Sequence, residues 1–134
     1  MTLQLEIVTP EKVVYKDEVD EVTLPTKAGE ITVLPHHASL FTQADHGEIR
    51  IKKAGKDQFL ALTGGFIEVT DNKVTVLADY AIRSEDIEIA KAEEAHNRAE
   101  KLMEEKVSTE DFASAQAAFR RAILELKVAR RRHA

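Results

Sequence analysis

The stretch LALTGGFIEVTDNKVTVLAD, residues 60–79, decides the fold class of this chain. Apolar and polar side chains alternate on both sides of TDNK (70–73), with Ile67 and Val69 before this tetrapeptide and Val76 after it. Alternation with a period of two is typical of a half-buried strand, and an Asp-Asn pair favours a tight turn. The stretch therefore predicts an antiparallel β-hairpin.

A glycine pair, Gly64-Gly65, stands where the first of these strands begins. A phosphate-binding loop requires further glycines or a lysine at fixed spacing, and a lone pair carries neither. Glycines inside a strand pattern mark a bulge or a close backbone approach, so we predict one of these at Gly64-Gly65.

The same alternation runs back to the N-terminus, and a second hairpin turn is predicted at KAGK (53–56). All five glycines and all three prolines lie within residues 1–65. These features predict an N-terminal antiparallel β-sandwich over residues 1–84. Its strand positions include Leu3, Leu5, Ile7, Val19, Val22, Leu24, Ile49, Ile51, Phe66 and Val74.

From Ser84 onward the apolar residues follow helical spacing. Ser84, followed by Glu85 and Asp86, is the predicted N-cap of a first helix, and the capping-box pattern STED at 108–111 predicts the start of a second. The link is short, so residues 85–134 are predicted to form an antiparallel two-helix hairpin. The predicted seam comprises Ala92, Ala95, Ala99 and Leu102 on one helix and Phe112, Ala115, Phe119, Ala122, Leu126 and Ala129 on the other.

An alanine-rich seam buries little apolar area per residue, so this hairpin is expected to be only modestly stable. Residues 85–111 carry 4 basic and 10 acidic side chains, whereas residues 119–134 carry 6 and 1. Exposed charge pairs between the helices would add about 0–1 kcal/mol each. We therefore interpret the C-terminal half as a candidate moving part.

Composition excludes several classes of protein. The net charge of −5 argues against a nucleic-acid-binding protein, and the absence of cysteine excludes disulfides and thiolate chemistry and favours the cytoplasm. The sequence contains no run of eighteen apolar residues, so no membrane-spanning helix is predicted. The first residues lack the features of a secretory signal. We expect any membrane association to come through a partner.

No cluster of residues indicates catalysis. His36, His37, Asp45 and His46 form the one metal-like group in the sequence, but adjacent side chains of an extended chain point to opposite faces. No nucleophile elbow, phosphate loop or dinucleotide fingerprint is present. We predict no catalytic residue and no metal site.

The basic C-terminal segment has two interpretations. It is either a solvated face whose cations suit the helix dipole, or a docking surface for an acidic protein, since arginine pairs bidentately with carboxylates. The sequence leaves both open. The residues concerned are Arg120, Arg121, Lys127, Arg130, Arg131 and Arg132.

Three segments resemble the epsilon subunits of bacterial F-type ATP synthases. Residues 29–38, GEITVLPHHA, resemble a family loop; residues 60–79 resemble its GG-x-x-E-V and V-T-x-L-A-D stretches; and LEIVTPEKVVY (5–15) resembles its opening strand and turn. The resemblance covers essentially the whole chain and has the order of sandwich, then hairpin.

The resemblance implies a non-catalytic rotor subunit of the F1 central stalk, coupling proton translocation to ATP synthesis. Residues 1–84 would bind the gamma subunit and the c-ring, with Glu30, His36 and His37 at that interface. Residues 85–134 would be regulatory, with the basic segment contacting the alpha and beta subunits and restraining ATP hydrolysis. The implied location is the cytoplasmic face of the bacterial plasma membrane, as a peripheral part of F1 without membrane insertion or nucleic-acid binding.

Several positions depart from the family pattern. Thr32 and His36 stand where relatives carry glycine. Some relatives bind ATP through [I/L]-D-x-x-R-A, whereas this chain has IEIAKA at 87–92. Because bidentate arginine contacts are lost, we expect ATP binding to be weak or absent, with no cofactor. The degenerate motif comprises Ile87, Glu88, Lys91, Ala92, Arg98 and Arg121, while Ser114 and Glu125 replace further arginines.

Two other interpretations stay open. The chain could be an adaptor module of another complex, which failure to bind a gamma subunit would favour. It could also sense nucleotides alone, which the altered motif at 87–92 argues against.

Overall fold

A computed structural model describes residues 1–105 and 107–133 of the chain, and of Arg132 and His133 it describes the backbone. The chain divides into two compact units, residues 1–83 and residues 84–134. Each is described separately below.

The first unit contains ten β-strands, which confirms the predicted sandwich. Their bounds are β1 Leu3–Val8, β2 Val13–Val19, β3 Glu21–Thr26, β4 Gly29–Val33, β5 Leu40–Ala44, β6 Gly47–Lys53, β7 Lys56–Leu62, β8 Gly65–Thr70, β9 Lys73–Ala78 and β10 Ala81–Arg83.

The strands form a hydrogen-bonded path in the order β10-β7-β6-β3-β5-β8-β9-β1-β2, and β4 pairs with β3. One pairing departs from the antiparallel prediction, because β1 runs parallel to β9, with Gln4 opposite Lys73. Every other strand pair in the described residues is antiparallel. Periodicity within a strand reports its buried face but says nothing of the direction of a distant neighbour.

The two ends of this strand path meet, which folds the sheet into a nearly closed sandwich. Lys53 at the end of β6 donates a hydrogen bond to the carboxylate of Asp17 on β2. Arg83 on β10 donates from Nε to the Val14 carbonyl oxygen, at 3.2 Å, and its guanidinium lies 4.8 Å from the Tyr15 ring centre. These contacts join β2 to β6 and to β10, the strand at the opposite end of the path.

The core of this unit consists of the inward-facing residues of the alternating strands. Leu5, Ile7, Ile49, Leu62 and Ile67 are fully buried. Burying a side chain of this size stabilises a protein by about 1.5–3 kcal/mol. The cluster of buried residues runs from Leu3 to Ala81.

Both predicted hairpin turns are confirmed. Ala54 and Gly55 join β6 to β7 with φ of 52° and 78°, and Asp71 and Asn72 join β8 to β9 with φ of 50° and 61°. Two successive residues with positive φ form the turn whose twist matches that of the flanking strands.

The close backbone approach predicted at the glycine pair is also confirmed. Gly64 and Gly65 have φ of 140° and 137°. A Cβ atom added to Gly65 would lie 2.1 Å from the carbonyl oxygen of Leu77 on β9. Glycine is therefore required where β8 begins.

The second unit contains two helices, α1 Ile89–Glu104 and α2 Thr109–Ala129, with 3-10 turns at Ser84–Asp86 and Arg130–His133. The N-cap prediction for Ser84 is wrong. Ser84 begins a 3-10 turn, in which Ile87 donates its N–H to the Ser84 carbonyl oxygen at 3.3 Å, and α1 starts only after Glu88. A 3-10 turn satisfies backbone groups locally and competes with continuation of the α-helix.

The prediction for Ser108 is confirmed, since its hydroxyl accepts the Asp111 N–H at 3.1 Å at the start of α2. No described helix is long and apolar enough to span a membrane.

The alanines of the predicted seam are mostly buried, but its four large residues are not, and Phe119 and Leu126 are only half-buried. Leu102 and Phe112, which lie in the turns of α1 and α2 nearest the link, are each 40% exposed. Leu124 and Val128, outside the predicted seam, are buried. The buried residues of the seam are Ala92, Ala99, Ala115, Ala122 and Ala129.

Candidate functional site

Strand β4 and the loop after it carry the residues that the family resemblance assigns to an interface. Glu30 is an exposed residue of β4, opposite Pro25 of β3. His36 and His37 are exposed in the loop between β4 and β5. Glu30 therefore lies within a strand that pairs with β3, and the two histidines lie in the loop that follows that strand.

The loop is held by a side chain that the sequence analysis did not select. Asn72, in the β8–β9 turn, accepts the His36 N–H at 2.8 Å and donates from Nδ2 to the Thr2 carbonyl oxygen at 2.9 Å. Asn72 therefore ties the loop to Thr2, the residue that precedes strand β1. In the sequence, Asn72 was recognised only as a turn residue, because asparagine favours tight turns. That property predicts the hairpin but not the contacts of Asn72 with His36 and Thr2.

His37 is fixed by the loop itself. Its N–H donates to the Leu34 carbonyl oxygen at 3.2 Å, and its Nδ1 lies 2.7 Å from the Ala38 carbonyl oxygen. A carbonyl oxygen can only accept, so this hydrogen bond assigns a proton to Nδ1, and in the neutral tautomer with that proton Nε2 is an acceptor. The exposed imidazole can thus accept a hydrogen bond from a partner.

His36 and Thr32, which stand where relatives carry glycine, differ in the backbone conformation that they adopt. His36 adopts φ of 63°, the left-handed conformation that glycine favours, at a cost of about 1–2 kcal/mol for a residue with a side chain. Thr32 lies in strand β4, where its hydroxyl is 2.9 Å from that of Thr23, so a side chain is accommodated there.

Asp45 and His46 do not extend this loop into a metal site. Asp45 accepts hydrogen bonds from Lys27 Nζ, at 3.0 Å, and from the His46 N–H, at 2.8 Å. Among the described residues, no three His, Asp or Glu side chains are grouped so that they could hold a metal ion.

The basic residues of α2 are divided between two faces. Arg120 and Lys127 are exposed and seven residues apart, which places them on one face. Arg121 instead donates from Nε to Glu125, at 2.9 Å. Arg130 and Arg131 are exposed in the 3-10 turn that follows, whereas the side chain of Arg132 lies outside the described residues.

The residues of the degenerate nucleotide motif are not assembled into a cationic pocket. Ile87 and Ala92 are buried, and Lys91 lies 3.2 Å from the carboxylate of Glu88. Arg98 donates to Glu94 at 2.9 Å, within the same helix. Arg98, and Arg121 through its bond to Glu125, would thus first have to leave carboxylates before either could pair bidentately with a phosphate.

A cleft of about 360 Å³ lies between α1 and α2 near their link. Its walls are mostly small and apolar, with Arg98, Asp111 and Ser114 as the polar members. Of the degenerate motif, Arg98 lines this cleft, whereas Arg121 and residues 87–92 do not.

Both units match family models for one kind of protein. Residues 2–84 match the family described as ATP synthase, Delta/Epsilon chain, beta-sandwich domain. Residues 85–130 match ATP synthase, Delta/Epsilon chain, long alpha-helix domain.

The chain belongs to the ATP synthase delta/epsilon family.

This delta/epsilon family member is similar to curated relatives over nearly its full length. The ATP synthase epsilon chain of Herpetosiphon aurantiacus is 46% identical over 132 residues, which cover 98% of this chain and 97% of the relative. That of Dehalococcoides mccartyi is 46% identical over 131 residues, with 97% and 94% coverage. The resemblance to epsilon subunits is therefore confirmed.

Solved structures share the fold of this delta/epsilon chain. A chain in the Euglena gracilis mitochondrial ATP synthase OSCP/F1/c-ring structure aligns with a TM-score of 0.74 at 21% identity, covering 89% of this chain and 76% of that one. A chain of the Tetrahymena thermophila mitochondrial ATP synthase central stalk and c-ring aligns with a TM-score of 0.59 at 14% identity, covering 96% and 97%. At these identities the likeness establishes the fold alone.

Proposed function

We propose that this delta/epsilon chain is a non-catalytic rotor subunit of the central stalk of a bacterial F1Fo ATP synthase. The observation that carries the proposal is 46% identity to an ATP synthase epsilon chain over 98% of this chain, which spans both units in the same order. The subunit would transmit torque between proton translocation in the membrane and ATP synthesis in F1.

The sandwich would bind the gamma subunit and the c-ring. The edge formed by Glu30 and the loop with His36 and His37 supports this assignment, because it presents exposed charged and hydrogen-bonding side chains on a loop that Asn72 anchors. An anchored loop loses little conformational entropy when it meets a partner. The subunit would lie at the cytoplasmic face of the plasma membrane as a peripheral part of F1.

The helical hairpin would restrain ATP hydrolysis by contacting the alpha and beta subunits. Arg120 and Lys127 support this role, since they share one exposed face of α2 and point cations away from the seam. The small seam residues support a hairpin that changes state, because they bury little area. The fraction of hairpin in each state would depend on how favourable its contacts with the alpha and beta subunits are, compared with its contacts in the other state.

We also propose that ATP binds this hairpin weakly or not at all. Arg98 and Arg121 each bond to a glutamate one turn away, so phosphate recognition would require two ion pairs to open. Isothermal titration calorimetry of the full chain tests this, and a submillimolar dissociation constant for ATP would contradict it.

The test of the proposed function is ATP hydrolysis by an F1 complex that lacks this subunit. We expect full-length chain to bind and slow hydrolysis, and a fragment ending at Ser84, which retains the whole sandwich core, to bind without slowing it. If neither binds, the assignment to the rotor fails and the adaptor interpretation gains.

A charge variant tests whether the exposed cations of α2, and not merely the presence of the hairpin, restrain ATP hydrolysis. Reversing Arg120 and Lys127 to glutamate is expected to restore most of the uninhibited rate. The matched control reverses Lys91 and Lys101 on α1, both exposed, and should inhibit like the native chain. Equal loss of inhibition in the two double variants would show that net charge, and not the α2 face, restrains hydrolysis.

A further inference from the structure

A small open pocket of about 200 Å³ lies on the surface of the sandwich where β3, β6 and β7 run side by side. An apolar molecule in this pocket would take polar groups out of water without giving them hydrogen-bond partners, so the pocket suits a small polar ligand. Its lining consists of polar and charged residues, namely Glu21, Thr23, Arg50, Lys52 and Asp57.

Strand register separates the charges of this pocket into two halves. Arg50 of β6 is opposite Thr23 of β3. Two residues further along β6, Lys52 is opposite Glu21 on one side and Asp57 on the other. Lys52 can neutralise one of its two carboxylate neighbours. One half of the pocket is therefore left with a surplus negative charge, and the other half with the positive charge of Arg50.

These four charged side chains do not neutralise one another by direct contact. Residues directly opposite each other in an antiparallel pair have Cβ atoms about 4.5–5.5 Å apart, which is close enough for an ion pair to form. Within the part of the chain that the structure describes, however, none of the four takes part in an ion pair or a side-chain hydrogen bond. Their donors and acceptors are therefore available to a ligand.

Thr23 supplies an uncharged donor beside Arg50. Its residue is 3% exposed, and its hydroxyl oxygen lies 2.9 Å from that of Thr32 on β4. Only one proton lies between two bonded hydroxyl oxygens, so when Thr32 donates that proton, the proton of Thr23 remains to be donated elsewhere. The contact with Thr32 also fixes the position of the Thr23 hydroxyl.

The separation of the two halves selects the class of ligand. Two residues of a strand span about 7 Å, so the surplus charges are separated by roughly that distance. An α-amino acid has a single carbon between its carboxylate and its ammonium group, which is too short to reach both halves. Phosphoethanolamine has an oxygen and two carbons between phosphorus and nitrogen. Its phosphate also suits arginine, which donates two parallel hydrogen bonds to such a group.

We propose that this pocket binds a phosphoethanolamine group. The phosphate would accept hydrogen bonds from Arg50 and the Thr23 hydroxyl, and the ammonium group would pair with the carboxylate of Glu21 or Asp57 that Lys52 leaves unpaired. The same group occurs as a free compound and as the head group of a lipid. This binding site goes beyond the proposed function and does not depend on it, because the chain alone would bind.

The first experiment is a calorimetric titration of the full chain with phosphoethanolamine. We expect a dissociation constant of about 1 mM. Inorganic phosphate and ethanolamine should each bind at least tenfold more weakly, because each engages one half of the pocket. Phosphocholine should also bind more weakly, by at least threefold, since its quaternary ammonium group has no N–H to donate to a carboxylate.

The second experiment compares variants of the pocket. Arg50→Gln should weaken binding of phosphoethanolamine at least tenfold, because a charge-assisted contact with the phosphate is lost. Lys56→Gln removes the same charge from an exposed position of β7 outside the pocket, and its affinity should be that of the native chain. Circular dichroism verifies that each variant is folded.

A double variant tests the selection of the ammonium group by a gain of binding. Glu21→Gln with Asp57→Asn leaves the charge of Lys52 without a carboxylate opposite it. This variant should bind inorganic phosphate about tenfold more tightly than the native chain does, and it should no longer prefer phosphoethanolamine over phosphate. A misfolded variant would not gain affinity for any ligand.

Sedimentation with vesicles distinguishes the two sources of the group. Vesicles of phosphatidylcholine are compared with vesicles in which half of that lipid is replaced by phosphatidylethanolamine. Stronger sedimentation of the native chain with the second kind, lost in Arg50→Gln, identifies the lipid head group, whereas binding of soluble phosphoethanolamine alone identifies the free compound. Either result supports the site.

Three results would overturn the proposal. The first is the absence of binding at 10-fold the expected dissociation constant, in solution and on vesicles. The second is an equal affinity of the native chain for inorganic phosphate and phosphoethanolamine, which would show a general attraction of anions. The third is an equal loss of affinity in Arg50→Gln and Lys56→Gln, which would show that net charge, and not the pocket, determines binding.

Discussion

His36 shows how one residue can keep a strained conformation. Its φ of 63° belongs to the left-handed region, and its N–H is held by the side chain of Asn72. A β-carbon in that region costs energy that glycine avoids, while glycine adds freedom to the unfolded chain. With histidine at position 36 the folded chain is therefore less stable than it would be with glycine, but the loop carries an imidazole side chain.

The His36→Gly variant should be more stable than the native chain by about 0.5–1 kcal/mol, because relief of the left-handed strain exceeds the added entropy of the unfolded state. Urea unfolding followed by circular dichroism measures the change. Asn72→Gly is the control, since it also relieves a positive φ, of 61°, but removes the bonds to His36 and Thr2 and should destabilise. Two variants with the same sign of change would show that the Asn72 bonds are not important.

Gly65→Ala should destabilise the sandwich by about 3 kcal/mol or more, because the new methyl group meets the Leu77 carbonyl 2.1 Å away and strand β9 would have to move. Gly55→Ala is the matched control. It also has positive φ but nothing within 4 Å, so about 1 kcal/mol of conformational strain is expected. Equal losses in thermal unfolding would contradict the clash.

At the scale of single elements, two local contacts contribute to stability: the Ser108 cap of α2 and the Asp17–Lys53 pair between β2 and β6. Ser108→Ala should destabilise α2 by about 1 kcal/mol, because the Asp111 N–H loses its acceptor. Hydrogen exchange in the first turn of α2 measures this. Ser114→Ala, at an exposed position inside the same helix, should leave stability unchanged or raise it by up to about 0.5 kcal/mol, so equal effects would rule out capping.

The Asp17–Lys53 contact joins β2 to β6 and gives a pH signature. The hydrogen bond from Lys53, and then that from the Glu18 N–H, lower the pKa of the Asp17 carboxyl, while the Asp17 carboxylate raises the pKa of Lys53. The stabilisation by Asp17 is complete above its unfolded pKa of about 3.9 and is lost as pH falls through the lowered folded pKa. That by Lys53 is complete below about pH 10.4 and is lost as pH rises through its raised folded pKa.

The difference in unfolding free energy between the native chain and Asp17→Asn should therefore be flat from about pH 5 to pH 9 and shrink at both extremes. Urea midpoints across this pH range provide the measurement, and added salt should reduce the difference because both groups are exposed. Asp57→Asn, at an exposed position of β7, is the control without this pH profile. A difference that does not depend on pH would indicate a packing effect.

Elements with a strong local signal were predicted from the sequence, and features that depend on distant residues were not. The Asp71-Asn72 turn and the Ser108 cap are encoded within four residues, and both are confirmed. The parallel pairing of β1 with β9 joins residues about 70 positions apart, which no period reports. The start of α1 was missed because Ser84 suits a 3-10 turn as well as an N-cap.

The candidate site likewise combines residues that the sequence could select with contacts between distant residues that it could not. The family resemblance selected Glu30, His36 and His37 but could not show that Asn72 anchors their loop. Phe66 was assigned to a strand, yet its outward direction emerged only when Ile67 filled the inward position. Spacing also could not show that Arg121 bonds to Glu125, because two side chains one helical turn apart can pair or both point to solvent.

At the scale of the whole molecule, the two units differ in how much apolar volume they bury. The sandwich core is built from leucine, isoleucine and valine, whereas the buried residues of α1 are Ala92 and Ala99. Local opening free energies follow buried apolar contacts, so the hairpin should open at a lower free energy than the sandwich.

Native-state hydrogen exchange of the full chain should show amides of α1 and α2 exchanging at least tenfold faster than those of β8 and β9, and denaturant should unfold the hairpin first. Strand β10, at an edge, is the internal control and should exchange at an intermediate rate. Equal protection in the helices and central strands would contradict a hairpin that opens on its own.

The parallel pairing of β1 with β9 also has a consequence for synthesis of the chain on the ribosome. Gln4 cannot meet Lys73 until some seventy further residues have left the exit tunnel, which takes roughly 4–14 s at ordinary elongation rates. During that interval the β1–β2 hairpin can form, but its other edge has no partner within the nascent chain. Unpaired edges recruit foreign strands, so a nascent-chain chaperone should engage this protein at its first twenty residues and leave once β9 emerges.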